Sequence, residues 1–317
     1  MNQLLRPQKF TYGLLALAGV VLFSAKSVFA KMIYAYNVHP VAMLYLRMMV
    51  ALPFLLAFYF WYENKYPQKK AHWRDILQVI GISLIGYYLS GILDFIGLLY
   101  VEAAIERLIL FLYPTMVLVL SILFLRKEAK LNQFIAMIVS YIGLLVAFAD
   151  KLTMSNTSMF WFGVVLIVLS SFLYAIFLTL ADKLIDRLGS IRFTTIACLT
   201  MTASIVIHAF ITGKAHFVGY PSQVYLYSFI MGVFSTVVPV FMFNYAIEKL
   251  GSTNVSIISC AGPICTLMYS ALLIDEPITL YQIVGTLIVM AGIMFVYKSK
   301  TAPVEVRSSD YRRKEND

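Results

Sequence analysis

The chain has 317 residues, of which 61% are hydrophobic and only 13% charged, with a net charge of +9 and a mean hydropathy of +0.83. A soluble domain carries about 25% charged residues, and no soluble fold of this length hides so much apolar surface, so the bilayer is the solvent for most of it. The positive charge is not that of a nucleic-acid binder, because the basic residues lie in short connections and at the C-terminus, between apolar runs. That is the pattern of topology signals.

Crossing the hydrocarbon takes about 20 mostly apolar residues in a helix. In chain order, such segments fall near 11–36, 40–61, 75–99, 103–125 and 131–149, then near 159–181, 191–211, 223–247, 252–274 and 278–297. The first follows Arg6 and Lys9 and contains Val28-Phe29-Ala30. It exceeds the ~7–15 residues of a signal-peptide core and holds Lys26, so it reads as span one. Several connections are a few residues long, which makes the neighbouring spans antiparallel. With the N-terminus in the cytoplasm, nineteen Lys and Arg fall on the cytoplasmic side, two (Lys151 and Lys214) on the other, and Lys26, Lys31, Arg47 and Arg107 within spans. This bias predicts that both termini are cytoplasmic, in a cell (inner) membrane. Residues 301–317 are polar and charged and read as a disordered tail. Cys198, Cys260 and Cys265 lie in apolar runs without metal-ligand spacing and read as packing thiols, with no metal or cofactor expected.

The two halves repeat. The spacing from Pro114 to Gly143 recurs from Pro263 to Gly292 at an offset of 149 residues, with Leu131 matching Leu280 and Gln133 matching Gln282. Each half has five spans, an odd number, so the second copy enters the membrane in the opposite sense. The predicted fold is an all-α integral membrane protein of ten transmembrane helices in two inverted five-helix repeats, residues 1–152 and 153–300. In such architectures the substrate site lies near the midplane where the repeats meet.

Leu112-Tyr113-Pro114-Thr115 followed by Arg126-Lys127-Glu128, with counterparts Ala261-Gly262-Pro263-Ile264 followed by Asp275-Glu276-Pro277, resemble the EamA branch of the drug/metabolite transporter superfamily over about residues 11–298. Where that family has a tryptophan near the middle of span one, this chain has Phe23-Ser24-Ala25-Lys26. The resemblance implies transport of small metabolites, often amino acids or related compounds, through a central cavity between the halves.

Charges inside spans cost roughly 2.5–3.5 kcal/mol each at a helix centre, so the ones this chain keeps are candidate functional groups. At ~1.5 Å per residue, Lys26 lies deepest, with Arg47, Asp94, Glu106 and Arg107 shallower in the predicted outer half. Two readings apply. In one, Lys26 contacts substrate and the other four form an ion-pair gate. In the other, the charges lock spans one to four together. Lys31 is shallow enough to snorkel. The surplus of cations predicts a substrate with a carboxylate or another anionic group. Tyr88, Tyr113, Tyr174, Asn244 and Tyr245 are further candidates for the cavity wall. Tyr34, Tyr36, Tyr59, Trp61, Tyr62, Tyr66 and Trp73 read as an interfacial belt. Pro114 and Pro263 lie inside spans, where a proline frees a carbonyl and bends the helix, and read as hinges. The pairs Gly86 with Ser90, Ala136 with Ser140 and Gly232 with Thr236 allow close helix contact, within the chain or in a homodimer.

No Walker-type phosphate loop and no sizeable soluble domain is present, which excludes transport driven by the chain's own ATP hydrolysis. An integral-membrane enzyme would show a nucleophile or metal set beside a substantial loop. A channel is the other alternative, and nucleobase or nucleoside uptake is the alternative within transporters. The expected function is secondary transport of a small, carboxylate-bearing metabolite.

Overall fold

The computed structural model describes residues 7–66, 72–113, 115–117, 119–120, 131–147, 149, 157–250, 258–259 and 261–300. Thirteen α-helices are described: α1 (Pro7–Ser24), α2 (Lys26–Tyr34), α3 (Pro40–Lys65), α4 (Trp73–Ser83), α5 (Ser90–Gly97), α6 (Ala103–Leu110), α7 (Leu131–Ala147), α8 (Thr157–Leu188), α9 (Ser190–Ile211), α10 (Ser222–Gly232), α11 (Val238–Leu250), α12 (Gly262–Leu273) and α13 (Leu280–Lys300). Two π-helical turns, π1 (Leu84–Leu89) and π2 (Val233–Val237), join α4 to α5 and α10 to α11. The described helices fall on the ten spans of the sequence: α1–α2, α3, α4–π1–α5, α6, α7, α8, α9, α10–π2–α11, α12 and α13. Six described runs are long and apolar enough to cross a bilayer: Thr11–Tyr34, Pro40–Lys65, Trp73–Gly97, Ser158–Ala181, Ile191–Ile211 and Ser222–Phe243. Gly262–Leu273 and Leu280–Gly292 are shorter apolar helices.

Local chemistry sets the helix ends. His39 and Pro40 start α3, with the His39 Nδ1 accepting from Val41 N (3.2 Å) and the proline at the first turn, where its missing N–H costs nothing. His72 caps α4 in the same way through Arg74 N. Asn37, with φ of 57°, turns the chain between α2 and α3. The connections 35–39, 98–102, 212–221 and 274–279 share one face of the bundle, called distal here.

The repeat is visible in the irregularities. Spans three and eight begin at Trp73 and Ser222, their π turns begin at Leu84 and Val233, and spans four and nine are interrupted at Leu112 and Ala261. Each pair is 149 residues apart, the offset of the sequence repeat. Packing obeys the same symmetry. Span one packs on span eight, three on six, two on seven, four on nine and five on ten. Exchanging the two repeats turns the first of these contacts into the second and maps each of the other three onto itself.

Close crossings depend on missing side chains. A Cβ at Gly97 would lie 2.9 Å from the Gly163 carbonyl, and one at Gly163 would lie 2.9 Å from the Gly97 carbonyl, so spans three and six touch backbone to backbone. Gly86 of π1 leaves room for Phe177, and Gly232 lies against the Arg47 carbonyl. Two of the three small-residue pairs thus serve contacts within the chain, and the side chains of Ala136 and Ser140 lie outside the described residues. The rim carries many exposed apolar side chains, among them Phe60, Val165, Phe210 and Leu272, as expected where lipid is the solvent.

Candidate functional site

Three interruptions meet inside the bundle. Span one breaks at Ala25, between α1 and α2, where the Ser24 hydroxyl turns back to the Val20 carbonyl (2.7 Å), a bond that bends helices. Span four breaks at the Phe111–Leu112 turn after the two helical turns of α6, and span nine begins its distal half-helix at Gly262. Helix α12 packs against α6, α1 and α2, and the Thr266 hydroxyl donates to the Ser24 carbonyl (3.0 Å).

Around these breaks lie five buried charges. Lys26 opens α2, and its Nζ stands 3.0 Å from Asp94 Oδ2 and 3.6 Å from Glu106 Oε1. The first contact is an ion-paired hydrogen bond; the second is an ion pair only, and neither Glu106 Oε1 nor Asp94 Oδ1 accepts from a further donor among the described residues. Ser27 donates to the other oxygen of Glu106, Oε2 (2.6 Å). Glu106 is fully buried. Arg47, from α3, donates through Nε to Thr236 Oγ1 (2.9 Å). Thr236 sits in π2, where its hydroxyl also donates to the Met231 carbonyl five residues back (2.8 Å). The widened turn thus sets out an acceptor for the arginine. Phe95 lies between the cations, its ring 5.1 Å from Lys26 Nζ and 5.4 Å from Arg47 Cζ. Tyr34 donates to the Phe95 carbonyl (2.8 Å).

Arg107 differs from the other two cations. It is 7% exposed, its Nε has no acceptor, and no carboxylate lies within ion-pair distance among the described residues. Its guanidinium lies over the rings of Phe23 (5.0 Å) and Phe111 (5.9 Å). Such contacts contribute about 0.5–2 kcal/mol each, against a desolvation cost of several kcal/mol for a buried ion. The rings offset only part of that cost. Lys26, Arg47 and Arg107 against Asp94 and Glu106 leave the cluster one cation in excess.

The other residues singled out in the sequence are dispersed. Tyr88 shares a hydrogen bond with His208 Nδ1 (2.9 Å), linking spans three and seven. Tyr113 meets Tyr174 edge to face (5.4 Å), and Tyr174 stacks with Tyr87 and Phe177. Tyr245 is 46% exposed and packs on Tyr12 (5.8 Å), away from the ions; it precedes the fully buried Ala246, so the helix turns it outward. The side chain of Asn244 and all of Pro114 lie outside the described residues. Pro263 does not lie mid-helix. It occupies the first turn of α12, so it removes no ladder hydrogen bond, and the interruption precedes it. Lys31 lines a groove of 460 Å³ at the distal face with Tyr36, Tyr227, Ile274 and Glu276. At the same face Gln282 Nε2 donates to Glu102 Oε2 (2.5 Å), and Ala103 N donates to Glu276 Oε2 (3.2 Å), tying α6 to the start of span ten.

Sequence reasoning named Phe23 only as part of the segment that replaces the family's tryptophan and Thr236 only as a packing residue, missed Ser27 and Phe95, and placed Tyr34 in the interfacial belt. Ser27, beside the deep Lys26, and Thr236, in a small-residue pair, were detectable signals. The phenylalanines resemble every other apolar residue of the spans. No group of three or more His, Cys, Asp or Glu suited to a metal occurs among the described residues.

Comparison with known proteins agrees with the repeat. The model of the EamA-like transporter family matches twice, over residues 11–149 and 161–298. The uncharacterized transporter YcbK of Bacillus subtilis (strain 168) is 30% identical over 88% of this chain and 89% of its own length. The uncharacterized inner membrane transporter YicL of Salmonella typhimurium is 23% identical, over 79% and 83%. One crystal structure of a protein shares the fold, with a TM-score of 0.65 at 12% identity over 90% of this chain and 96% of the other. With two copies of the family pattern spanning nearly its whole length, the chain belongs to the EamA-like transporter family.

Proposed function

We propose that the chain is a secondary carrier that moves a small, carboxylate-bearing metabolite across the cell (inner) membrane by alternating access, with both termini cytoplasmic and the distal face outward. The observation that carries this reading is the buried cluster at the meeting of three broken spans, with one more cation than anion. Interrupted helices at a repeat interface are where such carriers place their substrates. The symmetric packing supports alternating access, since each repeat is able to take up the other's arrangement. The contacts of Glu102 with Gln282 and of Glu276 with Ala103 join the two repeats at the distal face and are the contacts that opening to the outside has to break. The strong bias of Lys and Arg to one side supports the orientation.

The test is counterflow in proteoliposomes preloaded with pooled amino acids, organic acids or nucleobases. Saturable exchange of a carboxylate-bearing compound is expected. Linear flux without counterflow indicates a pore, and exchange of nucleobases alone removes the carboxylate; either result overturns the proposal.

A further inference from the structure

The geometry points to a carboxylate subsite formed by Arg107 and the first turn of α12, specific for a single carboxylate on an apolar body; its role in transport rests on the carrier reading above. Three observations converge. Helix α12 has twelve residues and starts inside the bundle, with Ala261 at the capping position and no side-chain cap. Cys265 N bonds back to the Ala261 carbonyl (3.1 Å) and Ala261 N to the Ile258 carbonyl (3.1 Å); between them Pro263 has no N–H, so the turn offers the N–H groups of Gly262 and Ile264 at the positive dipole end of a helix start. Arg107 is more than nine-tenths buried, with Nε unpartnered, and it is aimed at this turn. A Cβ on Gly262 would lie 3.0 Å from its Nη2 and 3.4 Å from its Nε. Glycine at 262 therefore lets the guanidinium lie directly on the turn, and a carboxylate seated beside the two meets both a planar fork and a helix start.

The other cations are engaged elsewhere. Lys26 holds Asp94 and Glu106, and Arg47 donates to Thr236. Phe23 and Phe111 flank the Arg107 guanidinium and favour an apolar group next to the carboxylate. Asp94 and Glu106, close by in the same cluster, disfavour a second anionic group on the ligand.

The test uses the purified full-length protein and its thermal unfolding with sodium propionate, butyrate, phenylacetate and succinate. Each monocarboxylate is paired with its primary amide at equal sodium chloride. A monocarboxylate is expected to stabilise the protein where its amide does not, with succinate weaker. Arg107→Gln is expected to raise the half-saturating acid concentration at least about tenfold, the scale of a lost charge-assisted hydrogen bond. Arg107→Lys keeps part of the effect, and Gly262→Ala, which displaces the guanidinium by a few tenths of an ångström, weakens it several-fold. These two milder variants also carry the test if Arg107→Gln does not fold. The subsite is overturned if no monocarboxylate separates from its amide in the unsubstituted protein, if the separation survives in Arg107→Gln, or if it is undiminished in both milder variants. Binding is read here without transport. Acid selectivity without counterflow removes the carrier and keeps the subsite; counterflow blind to acid against amide does the reverse.

Discussion

Replacing Lys26 by methionine tests whether the ion cluster is held by one central cation. The substitution keeps the length and apolar stem of the side chain and removes the ammonium. That ammonium contacts Asp94 at 3.0 Å and Glu106 at 3.6 Å, and no other cation lies within ion-pair distance of either carboxylate among the described residues. Removing one partner of a buried pair costs about 3–5 kcal/mol, because the remaining charge stays buried without compensation. Here two carboxylates lose the same partner, so the upper part of that range is expected. Ser27 retains its bond to Glu106 Oε2 and limits the loss on that side. Adding Asp94→Asn to Lys26→Met is expected to recover at least about 1.5 kcal/mol, since neutral groups of matching shape substitute for a buried pair at little cost. Equilibrium unfolding in mixed micelles, run as a double-mutant cycle over the four proteins, measures this coupling. A loss below about 1 kcal/mol for Lys26→Met, or a double variant no more stable than the single, refutes the central role of this lysine.

Two further outcomes follow from the packing and the caps. Gly163→Ala places a methyl 2.8 Å from Tyr100 Cβ and 2.9 Å from the Gly97 carbonyl; a loss of about 1–3 kcal/mol is expected from this overpacking, and unfolding that matches the unsubstituted protein refutes the backbone crossing of spans three and six. His39 caps α3 as an acceptor, and partial desolvation, with Lys214 and His208 near, holds its imidazole below the usual range. A lowered folded value means that the unfolded chain binds the proton first. The contribution is therefore complete above about pH 6.5 and is lost as pH falls through the folded value. His39→Asn, which also caps, is expected to flatten the melting temperature over this range, and an unchanged slope refutes the assignment.

The sequence located the charges but not their partners. Lys26 is far in the chain from Asp94 and Glu106, and counting residues from the span ends placed all three inside the membrane. Which carboxylate faces which cation depends on the rotation of each helix about its axis. In a soluble helix the apolar stripe reports that rotation, but a span in lipid is apolar all round and reports almost nothing. Phe95 shows the limit best. It contacts both Lys26 and Arg47, and its letter is one of twenty-three identical ones. Pro263 shows another: a proline in an apolar run reads as a mid-helix bend, and only the folded structure shows a helix starting there.

By itself the sequence determined the solvent, the number of spans and their duplication, because hydropathy, length and an odd count per repeat are properties of a line of residues and need no knowledge of contacts. Tertiary structure alone decided that the breaks of spans one, four and nine coincide, that Lys26 takes both carboxylates, and that Arg107 lies against Gly262 with no carboxylate within ion-pair distance among the described residues. Those facts depend on distances of a few ångströms between segments more than 60 residues apart, and such distances exist only once the helices have packed.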